Sequence, residues 1–288
     1  MKSIRLLTFC LNPFFACIVT LASMTSPSLA DDGPLFPDKK LEAVVRKYVF
    51  EKRHNQEPLT EKDVENISSI EGKGQGITNL AGLEKCYSLH LIDLENNQVT
   101  DLTPIQDLQK LQSVNFANNQ IQDISALAKL SNLQYLHLAQ NQIQDLKPLE
   151  ELTNLRSLYL SGNQIQDLSP LASLSKVWTL YVNSNQLQDI STLAKLGWLS
   201  SLDLRSNQIS DLSPLSKLTE LKYLRLDDNK LSDLSVLLEM AKQDATGKQR
   251  FAPFLRIYLA GNPLSDDAKT QIDELRQLVS QVVVKPTP

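Results

Sequence analysis

Apolar and polar positions follow a 22-residue pattern along most of the chain. In each unit, apolar residues stand eight, five and three positions before an asparagine, as Leu155, Leu158 and Leu160 stand before Asn163. An aspartate follows four positions after the asparagine, as Asp167 does. Seven asparagines keep this spacing and an eighth follows after 33 residues: Asn97, Asn119, Asn141, Asn163, Asn185, Asn207, Asn229 and Asn262. A sustained period of this length predicts a solenoid of stacked coils.

The internal pattern of each unit predicts an α/β leucine-rich repeat solenoid. The apolar residues alternate as in a short strand, so stacked coils should form a parallel sheet on the concave side. A unit of 22 residues leaves no room for a full helix. We therefore expect short 3₁₀ turns or loops on the convex side, with Ser169 as the cap of one turn and Pro170 as its first helical residue. We expect the asparagines to point inward as a structural ladder that satisfies buried backbone groups.

Residues 1–30 are predicted to be a cleaved signal peptide. Lys2 and Arg5 precede a largely apolar stretch, and small residues occupy positions 28 and 30. We expect cleavage rather than a retained membrane helix because Asn12 and Pro13 interrupt the stretch. No later segment of the sequence is long and apolar enough to span a bilayer. The protein is thus predicted to be exported, to the periplasm or the medium.

Removal of this segment changes the charge and the cysteine count. Without its two basic residues, the chain has 27 Lys and Arg against 33 Asp and Glu, a net charge of −6. That balance argues against nucleic acid as a partner. One cysteine, Cys86, remains, and it stands in a column otherwise filled by leucine. We expect it to be buried and apolar, with no internal disulfide.

The regions outside the regular repeat are predicted to cap and interrupt the solenoid. Residues 31–66 have helical apolar spacing and form a helical N-terminal cap, which precedes the 22-residue repeats at 67–235. Residues 236–264 form a last repeat with an eleven-residue insertion. Within it, we expect a helix over 234–241 and a polar loop over 244–249. Residues 265–288 form a C-terminal cap helix and tail.

The sequence of the repeats resembles that of one bacterial family. Residues 163–171 have the sequence pattern Asn-Gln-Ile-x-Asp-Leu-x-Pro-Leu. Residues 77–86, Ile-Thr-Asn-Leu-Ala-Gly-Leu-Glu-Lys-Cys, lead into the regular repeats. Both are similar to the internalin-type, 22-residue leucine-rich repeat proteins. The resemblance covers about residues 36–284 and implies a curved, non-catalytic binding scaffold. It does not identify a partner, since no receptor-binding residue of the family can be matched to this chain.

Counting back from each asparagine identifies the side chains that face the concave surface. An aromatic group falls in the middle coils: Tyr135, His137, Tyr159, Trp178 and Tyr181. The residues between them are small, so the sequence predicts an exposed aromatic surface for a ligand. The alternative is that these side chains only pack along the sheet, as aromatic residues commonly do in strands.

A second concave group is charged. Asp203 is predicted to lie beside Arg225, and Arg205 beside Asp227, on adjacent strands. We expect these four residues to pair across the strands and to be mostly structural.

Metal, cofactor and catalytic chemistry find little support. The repeated aspartates could suggest calcium, but calcium needs about six to eight converging oxygen ligands. One aspartate per coil, just before a turn, instead favours local turn capping. His54, His90 and His137 lie far apart in the pattern. We predict no cofactor, no metal and no enzymatic activity.

The leading functional hypothesis is an exported, monomeric scaffold that binds a protein or peptide partner through its concave face. The alternative is an envelope-associated structural or glycan-binding protein.

Overall fold

The computed structural model describes residues 33–285. The predicted signal peptide at 1–30, and the last three residues of the predicted tail, lie outside the described residues.

Ten strands form one parallel sheet in chain order within this part of the chain. Neighbouring repeat strands pair 22 residues apart in register, so that Leu136 lies opposite Leu158 and Leu158 opposite Leu180. The strands β1 to β10 are Ser69–Glu71, Leu91–Asp93, Ser113–Asn115, Tyr135–His137, Ser157–Tyr159, Thr179–Tyr181, Ser201–Asp203, Tyr223–Arg225, Arg256–Tyr258 and Gln281–Val283. This sheet confirms the predicted leucine-rich repeat solenoid.

Short 3₁₀ turns lie between successive strands, as predicted for the convex side. They are Leu83–Lys85, Thr103–Ile105, Ser125–Leu127, Lys147–Leu149, Ser169–Ser173, Ser191–Lys195, Ser213–Lys217 and Ala252–Phe254. The capping residue of the turn at Ser169 was predicted wrongly. Ser169 is the first helical residue, and its N–H and hydroxyl both donate to Asp167 at 2.7 Å. The aspartate is the better acceptor because it is charged, so it takes the capping position two residues earlier.

The same contact repeats in every regular coil. A carboxylate oxygen of each repeated aspartate accepts the N–H two residues on, in Asp101, Asp123, Asp145, Asp167, Asp189, Asp211 and Asp233. These carboxylates are therefore used locally, as turn caps, one in each coil.

The ladder asparagines join each coil to the coil before it. The amide Nδ2 of Asn163 donates to the carbonyl of Leu160 at 2.9 Å and to that of Leu138, one coil earlier, at 3.0 Å. Its Oδ1 accepts the N–H of Ile143 at 3.0 Å. The residue before the asparagine is left-handed, with φ of 67° at Gly162. Backbone groups that the turn would leave unpaired in the interior are thereby satisfied.

The core is a stack of leucine and isoleucine columns enclosed by these coils. Cys86 occupies its leucine column with no exposed surface, as predicted. Burial raises the pKa of the Cys86 thiol to about 12, because the thiolate would lose its hydration.

Helices cover the first coil. Helix α1 (Lys39–Arg46) buries Leu41, Val44 and Val45, and helix α2 (Glu61–Val64) follows it. One oxygen of Asp38 accepts the N–H of Leu41 in the first turn of α1, and the other accepts the N–H of Thr78 in the repeat entry. A single carboxylate thus caps the helix and fastens it to the solenoid.

The inserted segment forms helix α3, Ser235–Thr246, which is longer than predicted. The polar loop expected over 244–249 is correspondingly shorter, because Asp244 turns inward. Its carboxylate accepts the N–H groups of Arg250, Phe251 and Ala252 at 2.9 to 3.1 Å. Although residues 244–249 are mostly polar, Asp244 is buried, and its carboxylate caps the backbone of residues 250–252. Helix α4 (Asp266–Leu278) then covers the far end, and β10 adds the last strand.

Candidate functional site on the concave face and its rim

Four of the five predicted aromatic site residues form one contiguous group on strands β4, β5 and β6. His137, Tyr159 and Tyr181 are register neighbours on these strands, and Tyr135 lies two residues before His137. Ring centroids are 5.4 Å apart for Tyr135 and Tyr159, 4.9 Å for His137 and Tyr159, and 5.1 Å for Tyr159 and Tyr181. These separations are typical of interacting aromatic pairs. We call these four residues the concave aromatic cluster.

The rings of this cluster are half-buried by one another and by the sheet. Burial lowers the pKa of His137, although the carboxylates of Glu95 and Asp93 act in the opposite direction. Burial also raises the pKa of Tyr135 and of Tyr159. These three side chains are therefore uncharged at neutral pH, and the cluster presents ring surface with hydroxyl and imidazole edges.

Short side chains surround the cluster. Ala139 stands two residues after His137, and Ser161 two residues after Tyr159, each just beyond the end of its strand. Ser201, on β7, lies 3.0 Å by its hydroxyl from that of Tyr181. These positions therefore carry no long side chain that could cover the rings, and the ring surface is open to a partner on the concave side.

Trp178, the fifth predicted site residue, lies beside the cluster rather than within it. It precedes β6, and its Nε1 donates to the hydroxyl of Ser157 at 3.1 Å. The indole is 51% exposed, far more than the half-buried rings of the cluster. Trp178 thus lies at the rim of the sheet.

A groove at this rim was missed by sequence reasoning. Trp178 lines this groove together with Trp198, which is 70% exposed. Trp198 stands three residues before β7, so the alternation of side chains along the strands does not predict where it points. The groove has a volume of about 460 Å³. We call it the rim groove, and its principal lining residues are Trp178, Trp198, Ser200, Glu220, Lys222 and Arg250. The signal available in the sequence was that the chain's two tryptophans stand only 20 residues apart.

Asp203 and Arg225 are register neighbours on β7 and β8, as predicted, but the charged side chains pair along each strand and not across the two strands. Nε and Nη2 of Arg205 donate to the two oxygens of Asp203, at 2.9 Å and 2.6 Å. Arg225 Nε donates to Asp227 at 3.2 Å, and its guanidinium lies 5.0 Å from the ring centre of Tyr258. Residues two apart on a strand share a face, so a long arginine can fold back onto the aspartate of its own strand. Asp203 is 2% exposed, so we interpret its ion pair with Arg205 as a structural contact.

Two further features bear on function, and both concern residues 33–285. No group of three or more His, Cys, Asp or Glu side chains is placed to hold a metal ion there. No helix in that part of the chain combines the length and apolar character needed to cross a membrane.

Comparison with known proteins agrees with this geometry. A family model described as leucine-rich repeats, in two copies, matches residues 109–151, 153–195 and 198–239. The crystal structure of internalin C2 from Listeria monocytogenes is similar, with 36% identity and a TM-score of 0.68 over 72% of this chain and 91% of that one. No match was found among the curated proteins.

More distant solved structures share the fold alone. A leucine-rich repeat protein of Leptospira interrogans has 24% identity and a TM-score of 0.61 over 71% of this chain and 57% of that one. The plant peptide hormone receptor RGFR1, solved in complex with RGF2, has 21% identity and a TM-score of 0.52 over 64% of this chain and 34% of that one.

Proposed function

The chain belongs to the bacterial internalin-type leucine-rich repeat proteins, and from that premise we propose that it is an exported scaffold that binds a protein or peptide partner through the concave aromatic cluster. Binding is its function, with no catalytic step and no cofactor. The same fold carries a peptide hormone receptor in plants, which supports this class of function as an analogy.

The observation that carries the proposal is the contiguity of the cluster. Tyr135, His137, Tyr159 and Tyr181 come from three adjacent strands and contact one another in the middle of the sheet. Tyrosine combines a large apolar ring with a polar edge and loses little conformational entropy on binding, so it is enriched in the energetic centres of protein interfaces. The neutral state of His137 adds to this uncharged surface.

The rigidity of the scaffold also supports binding. The sheet holds the rings at fixed spacing through the backbone ladder and the asparagine contacts. A preorganised surface loses less entropy when it binds, which improves affinity without added contacts.

The test is a quantitative pull-down with two matched variants. The chain starting at residue 31 is immobilised and exposed to envelope and culture-fluid proteins of the source organism. Tyr159→Ala with Tyr181→Ala should reduce capture of a specific protein by about tenfold or more, since interface tyrosines contribute about 2 kcal/mol or more when truncated. The control, Gln166→Ala with Gln188→Ala, changes exposed polar side chains away from the cluster and should leave capture unchanged.

Unaltered capture by the double tyrosine variant would disprove the assignment of the concave aromatic cluster as the binding site, provided that circular dichroism shows both variants to be folded. Export is tested separately. The full chain, expressed in the source organism, should lose residues 1–30, which N-terminal sequencing of the mature protein would show.

The second candidate function is an envelope-associated structural or glycan-binding protein. The exposed indoles of Trp178 and Trp198 favour the glycan-binding form of it. Retention on a glycan matrix without capture of any protein would support this candidate over the first.

A further inference from the structure

Both tryptophans of the chain line the rim groove, and the repeat explains how the groove is built. Trp178, Ser200 and Lys222 occupy the same position in three successive coils. Their backbones are joined from Ser200 N to Trp178 O at 2.9 Å and from Lys222 N to Ser200 O at 2.8 Å. Serine is the short side chain between two long ones, so a depression forms there. Trp198 contributes a further wall from the turn that leads into β7.

The end of the groove is supplied by the one large departure from the 22-residue period. The eleven-residue insertion places Arg250 against Glu220, where the guanidinium and carboxylate form an ion pair. Asp244 holds the backbone of Arg250 through a hydrogen bond of 2.9 Å, so this wall is anchored to helix α3. The irregular part of the chain therefore completes a feature that the regular coils begin.

The charge of the rim groove is positive. Glu220 is neutralised by Arg250, whereas none of the ion pairs formed among residues 33–285 includes Lys222. A free cation beside two exposed indoles disfavours a quaternary ammonium ligand, which such rings would otherwise suit. It favours a ligand that carries an anion.

The remaining chemistry indicates a sugar ring. The indole faces offer flat apolar surface, which matches the C–H face of a pyranose. Around them, Lys222 and Arg250 supply donors, Glu220 supplies acceptors, and the Ser200 hydroxyl is both. This mixed set matches hydroxyl groups, each of which donates and accepts. The volume of about 460 Å³ lies within the range of small-ligand sites, about 300–1,000 Å³.

We propose that the rim groove is a binding site for an anionic saccharide, with a pyranose ring against the indoles of Trp178 and Trp198 and its carboxylate on Lys222. This site is separate from the concave aromatic cluster and adds a second ligand class to the proposed protein or peptide binding.

Tryptophan fluorescence tests the proposal directly, because only groove residues contribute tryptophan emission. The folded chain is titrated with trigalacturonic acid and with sialyllactose, and in parallel with the neutral trimethyl ester and with lactose. We expect at least one acidic probe to shift or quench the emission saturably, with a dissociation constant at least tenfold lower than that of its neutral counterpart.

Variants locate the binding. Isothermal titration calorimetry with the responding acidic sugar should show at least tenfold weaker binding for Trp198→Ala and for Lys222→Gln. Both side chains project from the surface, so neither change should unfold the protein. Gln166→Ala, an exposed polar change outside the lining of the groove, is the matched control and should bind the sugar unchanged.

The absence of a saturable response to both acidic probes would overturn the proposal. Equal affinity for an acidic sugar and its neutral counterpart, or unchanged affinity in Lys222→Gln, would also overturn it. An emission change with a glutamate-rich peptide but with neither sugar would replace it with a peptide site. Because the pull-down test of the concave aromatic cluster uses other residues, the two proposals can fail independently.

Discussion

His137 and Tyr159 face each other from adjacent strands, with ring centroids 4.9 Å apart. The imidazole Nδ1 also lies 3.4 Å from the Tyr135 hydroxyl. The histidine is thus enclosed on two sides by tyrosines, at the centre of the surface proposed to bind a partner. Its protonation would place a charge among rings that are already partly desolvated.

Acidification should therefore destabilise the protein through His137. Burial lowers its pKa below the usual 6.5, so the unfolded chain binds more protons than the folded one in the window just below that value. Stability should rise with pH across this window and fall as the pH decreases through it. Urea unfolding at pH 7.5, 6.5 and 5.5 measures this, with His137→Asn as the comparison. A pH dependence identical in both proteins would contradict the prediction.

Removing a ladder amide should be among the most costly single changes. Asn163→Ala deletes the partners of the Ile143 N–H and of the Leu138 and Leu160 carbonyls inside the solenoid. Each unsatisfied buried group costs about 1–3 kcal/mol, so we expect a loss of roughly 2–4 kcal/mol in the free energy of unfolding. Gln166→Ala, an exposed neighbour, should change it by less than about 0.5 kcal/mol. Equal losses in the two variants would argue against an interior role for the amide.

The turn caps make a chemically finer prediction. Asp167→Ala removes the acceptor for both Ser169 groups and should cost about 1 kcal/mol, as the loss of a helix cap does. Asp167→Asn keeps an acceptor oxygen and should cost less. Thermal unfolding of the two variants gives the order. If the two variants lose the same stability, charge rather than hydrogen bonding determines the contribution, because both substitutions remove the charge and only asparagine keeps the acceptor.

The buried carboxylate of Asp244 should control the inserted segment. Although burial opposes ionisation, the N–H groups of Ala252, Arg250 and Phe251 lower its pKa. Asp244→Ala leaves three backbone donors without this acceptor, so residues 247–254 should exchange amide hydrogens faster. Hydrogen exchange with mass spectrometry resolves the segment, and the strands around Leu158 serve as an internal reference. Unchanged protection of 247–254 would show that α3 holds the segment without the carboxylate.

Cys86 should be inert in the native protein. Its thiol is fully buried, and burial raises its pKa to about 12, so little thiolate forms and reagents cannot reach it. In a chain starting at residue 31, a thiol reagent should label it in urea and not in buffer. Rapid labelling in buffer would contradict the burial of the first regular coil.

The part of the site that could be predicted from sequence is the part governed by periodicity. Because side chains alternate along a strand and the asparagines fix the register, counting placed Tyr135, His137, Tyr159 and Tyr181 on one face. The count could not place Trp198, which lies in a turn where no alternation holds.

Contacts that depend on side-chain conformation also escaped prediction. Arg205 could reach an aspartate on its own strand or on the next, and the pattern of residue types is the same in both cases. The ion pair of Arg250 with Glu220 spans the insertion, where the period that guided every other assignment is interrupted.

The asparagine ladder has a direction, since each amide serves the coil before it and never the one after. Each coil thus supplies the asparagine that hydrogen-bonds the turn of the coil before it. Its own turn is hydrogen-bonded in the same way by the asparagine of the next coil. Whole 22-residue units could therefore be duplicated or deleted between the two caps without interrupting the asparagine ladder. Each such event would lengthen or shorten the concave face by one strand spacing, about 4.8 Å. A change in the number of units would thus alter the span of the binding surface in discrete steps, each of which adds or removes the concave residues of one strand.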